Sequence, residues 1–193
     1  IYVISDEIYR QLLWDDEEYT SIAEFPSMKE RTIIIDGFSK AYAMTGFRVG
    51  YAAAPDEVIA VMTKLVETML SSVNEGVQWG GVTALTGSQD CVEDMKKEYR
   101  KRRDLIVSGL NSIDGICCLP PKGAFYAFPN IKDLGLSSRE FAIRLLKEKS
   151  TVVVPGTGFG QGGEGFIRLS YATSEENIVE GLKRVNEFAK SLL

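Results

Sequence analysis

The most informative absence in this chain of 193 residues is histidine, of which there is none. Without imidazole, neither a histidine-based zinc site nor a Ser-His or Cys-His nucleophile pair can be assembled. Cysteine is scarce: Cys91, Cys117 and Cys118 include an adjacent pair and no C-x-x-C spacing, which does not indicate a disulfide framework. We therefore expect no metal site, and a reducing, cytoplasmic location.

The chain also lacks excess positive charge and long apolar runs. Lysine and arginine total 22 against 27 acidic residues, a net charge of -5, which gives no electrostatic attraction to nucleic acid or an anionic membrane. The basic residues between 96 and 103 alternate with acids and predict a solvated helix face. Apolar stretches such as TIIID and TVVVP fall far short of the ~20 residues that span a membrane. Neither nucleic acid nor membrane is expected as a partner.

The predicted strands and helices divide the chain into two regions. IYVIS, RTIIIDGFS and VGYAAAP are apolar runs typical of buried strands, and a helix with Asp56 as its N-cap follows them. A long helix ending near Gly115 then leads to strands in GAFYAFP, TVVVP and GFIRLSYA and to two serine-capped helices. The sequence predicts an α/β fold: the trailing part of a mixed, mostly parallel sheet in a large domain (1–80), then a smaller α+β C-terminal domain (81–193).

Four polar side chains are predicted to meet at one edge of the first sheet. Asp6 directly follows the first apolar strand, Tyr9 comes three residues later, and Lys40 stands just past the second strand. Open α/β sheets bind ligands at the carboxyl ends of their strands, where these residues would lie. Arg48, after the next turn, is placed to reach the same crevice.

A carboxylate, a phenol, an amine and a guanidinium, without histidine or metal, suit an aldehyde cofactor. A lysine shielded from water becomes a better nucleophile and can condense with an aldehyde. Pyridoxal phosphate supplies such an aldehyde, an electron-accepting ring and a phosphate. Asp6 would keep the ring nitrogen protonated, Tyr9 would hydrogen-bond the ring's phenolic oxygen, and Arg48 would bind the phosphate.

Five segments of the chain carry a resemblance to a known family. They are SDEIYR, GFSKAYAMTGFRVGYAAAP, PPKGAFYAF, VVVPGTGFG and GFIRLSYA. In order and spacing they resemble the C-terminal half of fold-type I pyridoxal-phosphate aminotransferases, in the class I/II branch that holds bacterial aspartate and aromatic aminotransferases. The most specific feature is S-K-x7-R in a glycine-rich turn, combined with D-E-x-Y upstream. The resemblance covers essentially the whole chain, whose first residues already read as a buried strand, so we expect a fragment of a longer protein.

The resemblance implies a role for each residue at the predicted sheet edge. Lys40 would be the Schiff-base lysine, and it would also move the proton between the substrate's Cα and the cofactor. Asp6 would pair with the pyridinium nitrogen and Tyr9 with the 3′ oxygen. Ser39 and Arg48 would hold the phosphate.

Three further positions are interpreted through the same resemblance. Arg168, in FIRLS, would bind the α-carboxylate of the substrate. Gly37 stands where the family often has the first serine of S-x-S-K, so we expect lower cofactor affinity or a compensating N-terminal group. The glycine-rich run 156–165 lacks the G-x-G-x-x-G order of a phosphate-binding loop, and we expect a flexible turn near the substrate entrance.

The implied function is ping-pong transfer of an amino group between an amino acid and a 2-oxo acid, in a cytoplasmic homodimer whose sites use both subunits. The family's N-terminal half would add a phosphate-binding turn, an aromatic residue that stacks on the cofactor and an asparagine at the 3′ oxygen. We therefore expect residues 1–193 alone to bind the cofactor poorly and to have little or no activity.

Other interpretations stay open at this point. A carbon–sulfur β-lyase or a cyclase-type lyase would use the same lysine, aspartate and tyrosine. The chain could also be the effector-binding domain of a transcription regulator that kept the aminotransferase architecture. Each candidate also has a purely structural interpretation: Lys40 on the surface, Asp6 in a turn or cap, Tyr9 in core or rim contacts, Arg48 and Arg168 in ion pairs, and Ser39 bonded to backbone.

Overall fold

The computed structural model describes all 193 residues, and they form two compact units, Ile1–Lys96 and Lys97–Leu193. The division predicted after residue 80 concerns the domains of the intact protein and stays a prediction. None of the helices combines the length and the apolar composition that crossing a membrane requires. The two units are described in turn.

The first unit contains a three-stranded sheet in the order β1–β2–β3. Its strands are β1 (Val3–Asp6), β2 (Thr32–Gly37) and β3 (Gly50–Ala53). β1 and β2 run parallel with Asp6 opposite Ile35, and β3 runs antiparallel to β2 with Gly37 opposite Gly50. The sheet is mixed, as predicted, and the parallel pairing brings the carboxyl ends of β1 and β2 to one edge.

Two helices follow the sheet, α1 (Asp56–Met69) and α2 (Glu75–Thr86). The N-cap of α1 is Pro55, which makes no side-chain cap bond, so the prediction of Asp56 as the cap is wrong. Asp56 is the first helical residue, where its negative charge is still favourable near the helix N-terminus. The side chain of Asn74 caps α2. That helix was predicted only as part of a helical connection, because its three glycines weaken the helical pattern.

Helix α3 (Asp90–Asn111) starts in the first unit and continues into the second. Lysines and arginines on it pair with acids three or four residues away, for example Lys96 with Glu93 at 3.1 Å, which confirms the predicted ion pairs. The predicted solvated face is wrong at Arg103, which is 5% exposed. The helix ends four residues before Gly115, the predicted end. The last helical residue is Asn111. Its side-chain oxygen accepts from the N–H of Cys118 at 2.8 Å, and its side-chain nitrogen donates to the Cys118 carbonyl at 2.9 Å.

The second unit packs helices on an antiparallel sheet in the order β4–β6–β5. Its strands and remaining helices are β4 (Tyr126–Ala127), α4 (Ser138–Lys149), β5 (Val154–Pro155), β6 (Ile167–Ser170) and α5 (Glu175–Lys190). The predicted serine caps are confirmed: Ser137 caps α4 and Ser174 caps α5. The ring of Phe141 on α4 meets that of Phe188 on α5 edge-on at 5.1 Å, and both rings are fully buried.

Candidate functional site

A pocket of about 410 Å³ lies at the carboxyl ends of β1 and β2. The residues that line it are Asp6, Ile8, Tyr9, Ile35, Ser39, Lys40, Thr45 and Arg48. Every candidate that the sequence placed in the first region therefore lines one opening. The sixth candidate, Arg168, belongs to the second unit.

The turn after β1 presents Asp6 and Tyr9 to this pocket. Asp6 ends the strand, and its Oδ1 accepts a hydrogen bond from the backbone N–H of Ile8 at 3.2 Å, so it is a turn residue as well as a pocket residue. The N–H of Leu12 donates to the carbonyl of Tyr9 at 2.9 Å, and the Leu12 side chain is completely buried. The buried leucine anchors a tight turn that returns Tyr9 to the edge of the sheet.

The segment after β2 presents Ser39 and Lys40 to the same pocket. Phe38 and Ala41, on either side of them, are buried and hold the segment against the unit. Ser39 and Lys40 are half-buried between these anchors. The Nζ of Lys40 lies 5.9 Å from the centre of the Tyr9 ring. Lys40 is thus held at the pocket beside an aromatic ring and is not an ordinary surface lysine.

Arg48 reaches the pocket from a strained backbone position. Its φ angle is +54°, in the left-handed region, which costs a residue with a side chain roughly 1 kcal/mol. One guanidinium nitrogen donates to the carbonyl of Thr45 at 2.7 Å, and no carboxylate forms an ion pair with it. The guanidinium therefore keeps donors for an anion at the pocket, and no ion pair within residues 1–193 involves Arg48.

Gly37 lies in close contact with the backbone of the segment that pairs with it. A Cβ added to Gly37 would lie 2.9 Å from the Cα of Gly50 and 3.2 Å from the carbonyl oxygen of Val49. Both contacts are with backbone of the paired segment, which cannot rotate away. A serine here would therefore require the paired backbone at the start of β3 to shift.

A polar network around the buried carboxylate of Asp36 was not predicted from the sequence. Asp36 is 6% exposed, and its carboxylate accepts hydrogen bonds from the Arg10 Nε, from the Tyr51 hydroxyl at 2.8 Å and from the Gly37 N–H at 2.7 Å. The bond to Asp36 raises the pKa of Arg10. Burial, followed by the bond to Asp36, raises the pKa of Tyr51. The only sequence signal was a carboxylate inside an otherwise apolar strand.

A second missed carboxylate, Glu7, supports the end of β1. It is 4% exposed and accepts hydrogen bonds from the hydroxyls of Ser21 at 2.6 Å and Ser5 at 3.1 Å. Partial burial and then the negative charge of Glu7 raise the pKa of Tyr19. Because side chains alternate along a strand, Glu7 points away from the pocket while its neighbour Asp6 faces it. This alternation was the signal that could have separated the two acids.

Arg168, on β6 of the second unit, lies between two aromatic rings. Its guanidinium carbon is 4.3 Å from the centre of the Tyr126 ring and 4.4 Å from that of Phe159. It forms no ion pair with a carboxylate of its own unit; the alternative of an ion pair between the two lobes stays a prediction. Rings on two sides fix the plane of the guanidinium, and its N–H groups remain available to an anion.

The glycine-rich run 156–165 is a packed double turn. A Cβ on Gly156 would lie 2.1 Å from the carbonyl oxygen of Gly163, so the two short 3₁₀ turns touch through their backbones. The buried hydroxyl of Ser138 accepts from the N–H of Gly165 at 2.8 Å. The segment closes on itself and holds Phe159 against Arg168.

Known proteins match the chain over almost its whole length. The family model described as aminotransferase class I and II matches residues 1–185. The chain is 50% identical over 188 residues to the Bacillus subtilis protein YugH and 43% identical over 189 residues to an aspartate aminotransferase of Pyrococcus horikoshii; each alignment covers 97% of this chain and 48% of the relative. The fold matches an aromatic aminotransferase from Pyrococcus horikoshii with a TM-score of 0.95 and 42% identity, over 100% of this chain and 52% of that one. The chain spans about half the length of the curated relatives it matches.

Proposed function

Because the chain belongs to the aminotransferase class I and II family, we propose that its pocket binds pyridoxal phosphate and that the intact protein transfers an amino group between an amino acid and a 2-oxo acid. One observation carries the proposal: Lys40, Asp6 and Tyr9 come from two different strand ends and line a single pocket. The names of the relatives, aspartate and aromatic-amino-acid aminotransferases, support the reaction class.

The donors around the pocket fit the groups of this cofactor. The carboxylate of Asp6 would pair with a protonated ring nitrogen, and the hydroxyl of Tyr9 would donate to the 3′ oxygen. The guanidinium of Arg48, with the hydroxyl of Ser39, would hold the phosphate. When bound, pyridoxal phosphate supplies an aldehyde that condenses with amines and a ring that accepts electrons from the substrate.

Lys40 has the central role in this proposal. Its Nζ would hold the cofactor through the aldehyde carbon. The Lys40 amine would also take the proton from the substrate's Cα and return it to the cofactor's carbonyl-derived carbon. Its place beside the Tyr9 ring, and between the buried Phe38 and Ala41, supports a fixed position for this proton transfer.

Arg168 would bind the α-carboxylate of the substrate. A guanidinium binds a carboxylate best through two parallel N–H donors, which needs a fixed plane. The rings of Tyr126 and Phe159 supply that constraint. This assignment predicts that Arg168→Leu raises the KM for the amino acid and lowers kcat, while the absorbance of the bound cofactor is unchanged.

The proposal extends to the whole protein. We propose that the enzyme is a cytoplasmic homodimer, as the family resemblance implies. The residues described here provide only Ser39 and Arg48 for the phosphate, so residues 1–193 alone are expected to hold the cofactor weakly. Equilibrium dialysis of the 193-residue piece against pyridoxal phosphate tests this expectation.

The test of the function uses the full-length protein and its Lys40→Ala variant. Wild type is expected to exchange amino groups between amino-acid donors and 2-oxo-acid acceptors, and Lys40→Ala is expected to lose this turnover. Lys29→Ala, which changes an exposed lysine away from the pocket, is the matched control and should keep full activity. Normal turnover by Lys40→Ala would refute the assignment. Pyruvate and ammonia from a sulfur amino acid would indicate a lyase instead.

A further inference from the structure

The carboxylate of Asp36 joins three segments of the first unit that are distant in sequence. Its donors come from the turn after β1 (Arg10), from β3 (Tyr51) and from the end of β2 itself (Gly37). Asp36 and Tyr51 are also directly opposite each other in the β2–β3 pairing. The network therefore ties the ends of all three strands together at the edge that carries the pocket.

Arg10 is the member of this network that is adjacent to the pocket in sequence. It follows Tyr9 directly, and its side chain turns away from the pocket to reach Asp36, 26 positions along the chain. These backbone hydrogen bonds of the turn join residues within the turn: the Arg10 N–H donates to the Glu7 carbonyl, and the Leu12 N–H donates to the Tyr9 carbonyl. The ion pair of Arg10 with Asp36 is a side-chain tie from the turn to the strand that leads to Lys40.

We propose that Arg10, through its ion pair with Asp36, is a positioning residue that holds Tyr9 at a fixed place relative to Lys40. The inference rests on the proposed function, because it assigns Arg10 a purpose in the same pocket. Tyr9 and Lys40 sit on separate strand ends, and the distance between them depends on how firmly those ends are joined. Arg10 pairs with Asp36 on β2, the strand that Lys40 follows. The ion pair therefore fixes the distance between Tyr9 and Lys40 without contact between Arg10 and the cofactor.

Loosening Tyr9 has a specific chemical consequence. By donating to the 3′ oxygen of a bound cofactor, the Tyr9 hydroxyl would stabilise negative charge there and so favour loss of a proton from the bound cofactor. If Tyr9 moves away, that proton is held to higher pH. The shift is expected to be about 0.5–1 pH unit, since a net hydrogen bond is worth roughly that much. The other titratable groups at the pocket, Asp6 and Arg48, are unchanged in the variants below.

The experiment uses full-length protein carrying Arg10→Met, with Arg31→Met as the matched control. Arg31 is exposed and forms no ion pair, so its loss removes the same charge without touching Asp36. Two readouts are compared. One is deuterium uptake of residues 7–12 without cofactor; the other is the pH midpoint of the absorbance change after pyridoxal phosphate is added. Arg10→Met should increase the uptake and raise the midpoint, and Arg31→Met should change neither.

The double variant Arg10→Met/Asp36→Asn separates positioning from stability. It removes the buried carboxylate that Arg10→Met leaves without its cation, so the melting temperature should partly recover. Uptake and midpoint should stay shifted, because the tie is still missing. The proposal is overturned if Arg10→Met lowers only the melting temperature, if the double variant restores the midpoint, or if Arg31→Met gives the same shift. A wild type that shows no cofactor absorbance refutes the proposed function instead, and the uptake of residues 7–12 still reports on the tie.

Discussion

The two units differ in how their helices use apolar residues. In the first unit, α1 has no buried residue and α2 buries only Gly81. Apolar side chains on these helices are open to solvent, with Met69 exposed by 74% and Trp79 by 64%. In the second unit, α4 and α5 each bury four residues, and their aromatic rings meet in the interior.

The pocket therefore lies in the unit whose helices leave more of their apolar side chains exposed. In a folded protein, the apolar stripe of a helix normally packs against another part of the protein or against a partner. The second unit closes its own core, while the first holds its strand ends together through buried polar groups, Asp36 and Glu7. The candidate site thus relies on these polar groups together with the buried Leu12, Phe38 and Ala41, whereas helices of the second unit meet through buried aromatic rings.

The largest expected effect comes from separating the units. A piece spanning 88–193, which keeps α3 whole, should unfold in one cooperative thermal transition because it encloses an apolar core that includes Leu145, Val185 and Phe188. A piece spanning 1–87 should show no such transition, since its helices leave their apolar faces in water. Circular dichroism melts and amide chemical-shift dispersion measure both. A cooperative melt of 1–87 together with a disordered 88–193 would reverse the comparison.

The three strands of the first sheet could be located from the sequence because each is a continuous apolar run. Their predicted burial was wrong for β1 and β3, where Ile4 is 72% exposed and only one residue of β3 is not exposed. The meeting of Asp6, Tyr9 and Lys40 followed from the same pattern, since polar residues that directly follow parallel strands share one edge. Their placement at one pocket is a feature of the structure, and their chemical roles stay predictions. Arg168 was assigned through the family resemblance, and the two rings that enclose it were not foreseen.

The polar network could not be predicted, for a physical reason. Arg10, Asp36 and Tyr51 are far apart in sequence, and they meet only because of the exact register of three strands. A one-residue slip in that register would turn each side chain to the other face. The contact between Gly156 and Gly163 was likewise invisible, because a glycine needed for close approach looks in sequence like a glycine in a flexible turn.

The next prediction concerns how tightly the glycine-rich turn of the second unit is packed. Gly156→Ala places a Cβ 2.1 Å from the carbonyl oxygen of Gly163 and 2.7 Å from that of Phe166, both backbone atoms. Overfilling of this kind costs about 1–3 kcal/mol, and we expect the upper end because backbone must move. Gly162→Ala is the control, since its Cβ would meet nothing within 4 Å. Urea unfolding of the 88–193 piece should show a large loss for the first variant and almost none for the second.

A smaller effect is expected at the one hydroxyl that closes the glycine-rich turn. Ser138 is completely buried, and its Oγ accepts from the N–H groups of Gly165 and Phe166 at 2.8 and 3.2 Å. Ser138→Ala leaves a buried donor unpaired, which costs about 1–3 kcal/mol. Ser112→Ala removes an exposed hydroxyl that lies in the turn after α3 and donates to the carbonyl of Gly109, and it should be nearly neutral. An equal loss for both variants in urea unfolding would show that the second unit is not closed by this contact.

The smallest effect concerns reactivity and leaves stability almost unchanged. Cys118 is 2% exposed, and burial raises the pKa of its thiol, whereas the neighbouring Cys117 is exposed. The thiolate is the reactive form, so a raised pKa and an enclosed sulfur both slow its labelling. The raised pKa also makes stability depend on pH. The stabilising contribution of the protonated Cys118 thiol is fully present below the ordinary thiol pKa, and it is lost as pH rises through the higher pKa of the folded state. With a disulfide reagent at pH 8, Cys117 and Cys91 should react fast and Cys118 slowly. If Cys118 reacts as fast as the exposed Cys117, the sulfur of Cys118 is not enclosed in solution, and the description of the second unit as closed around its core is wrong.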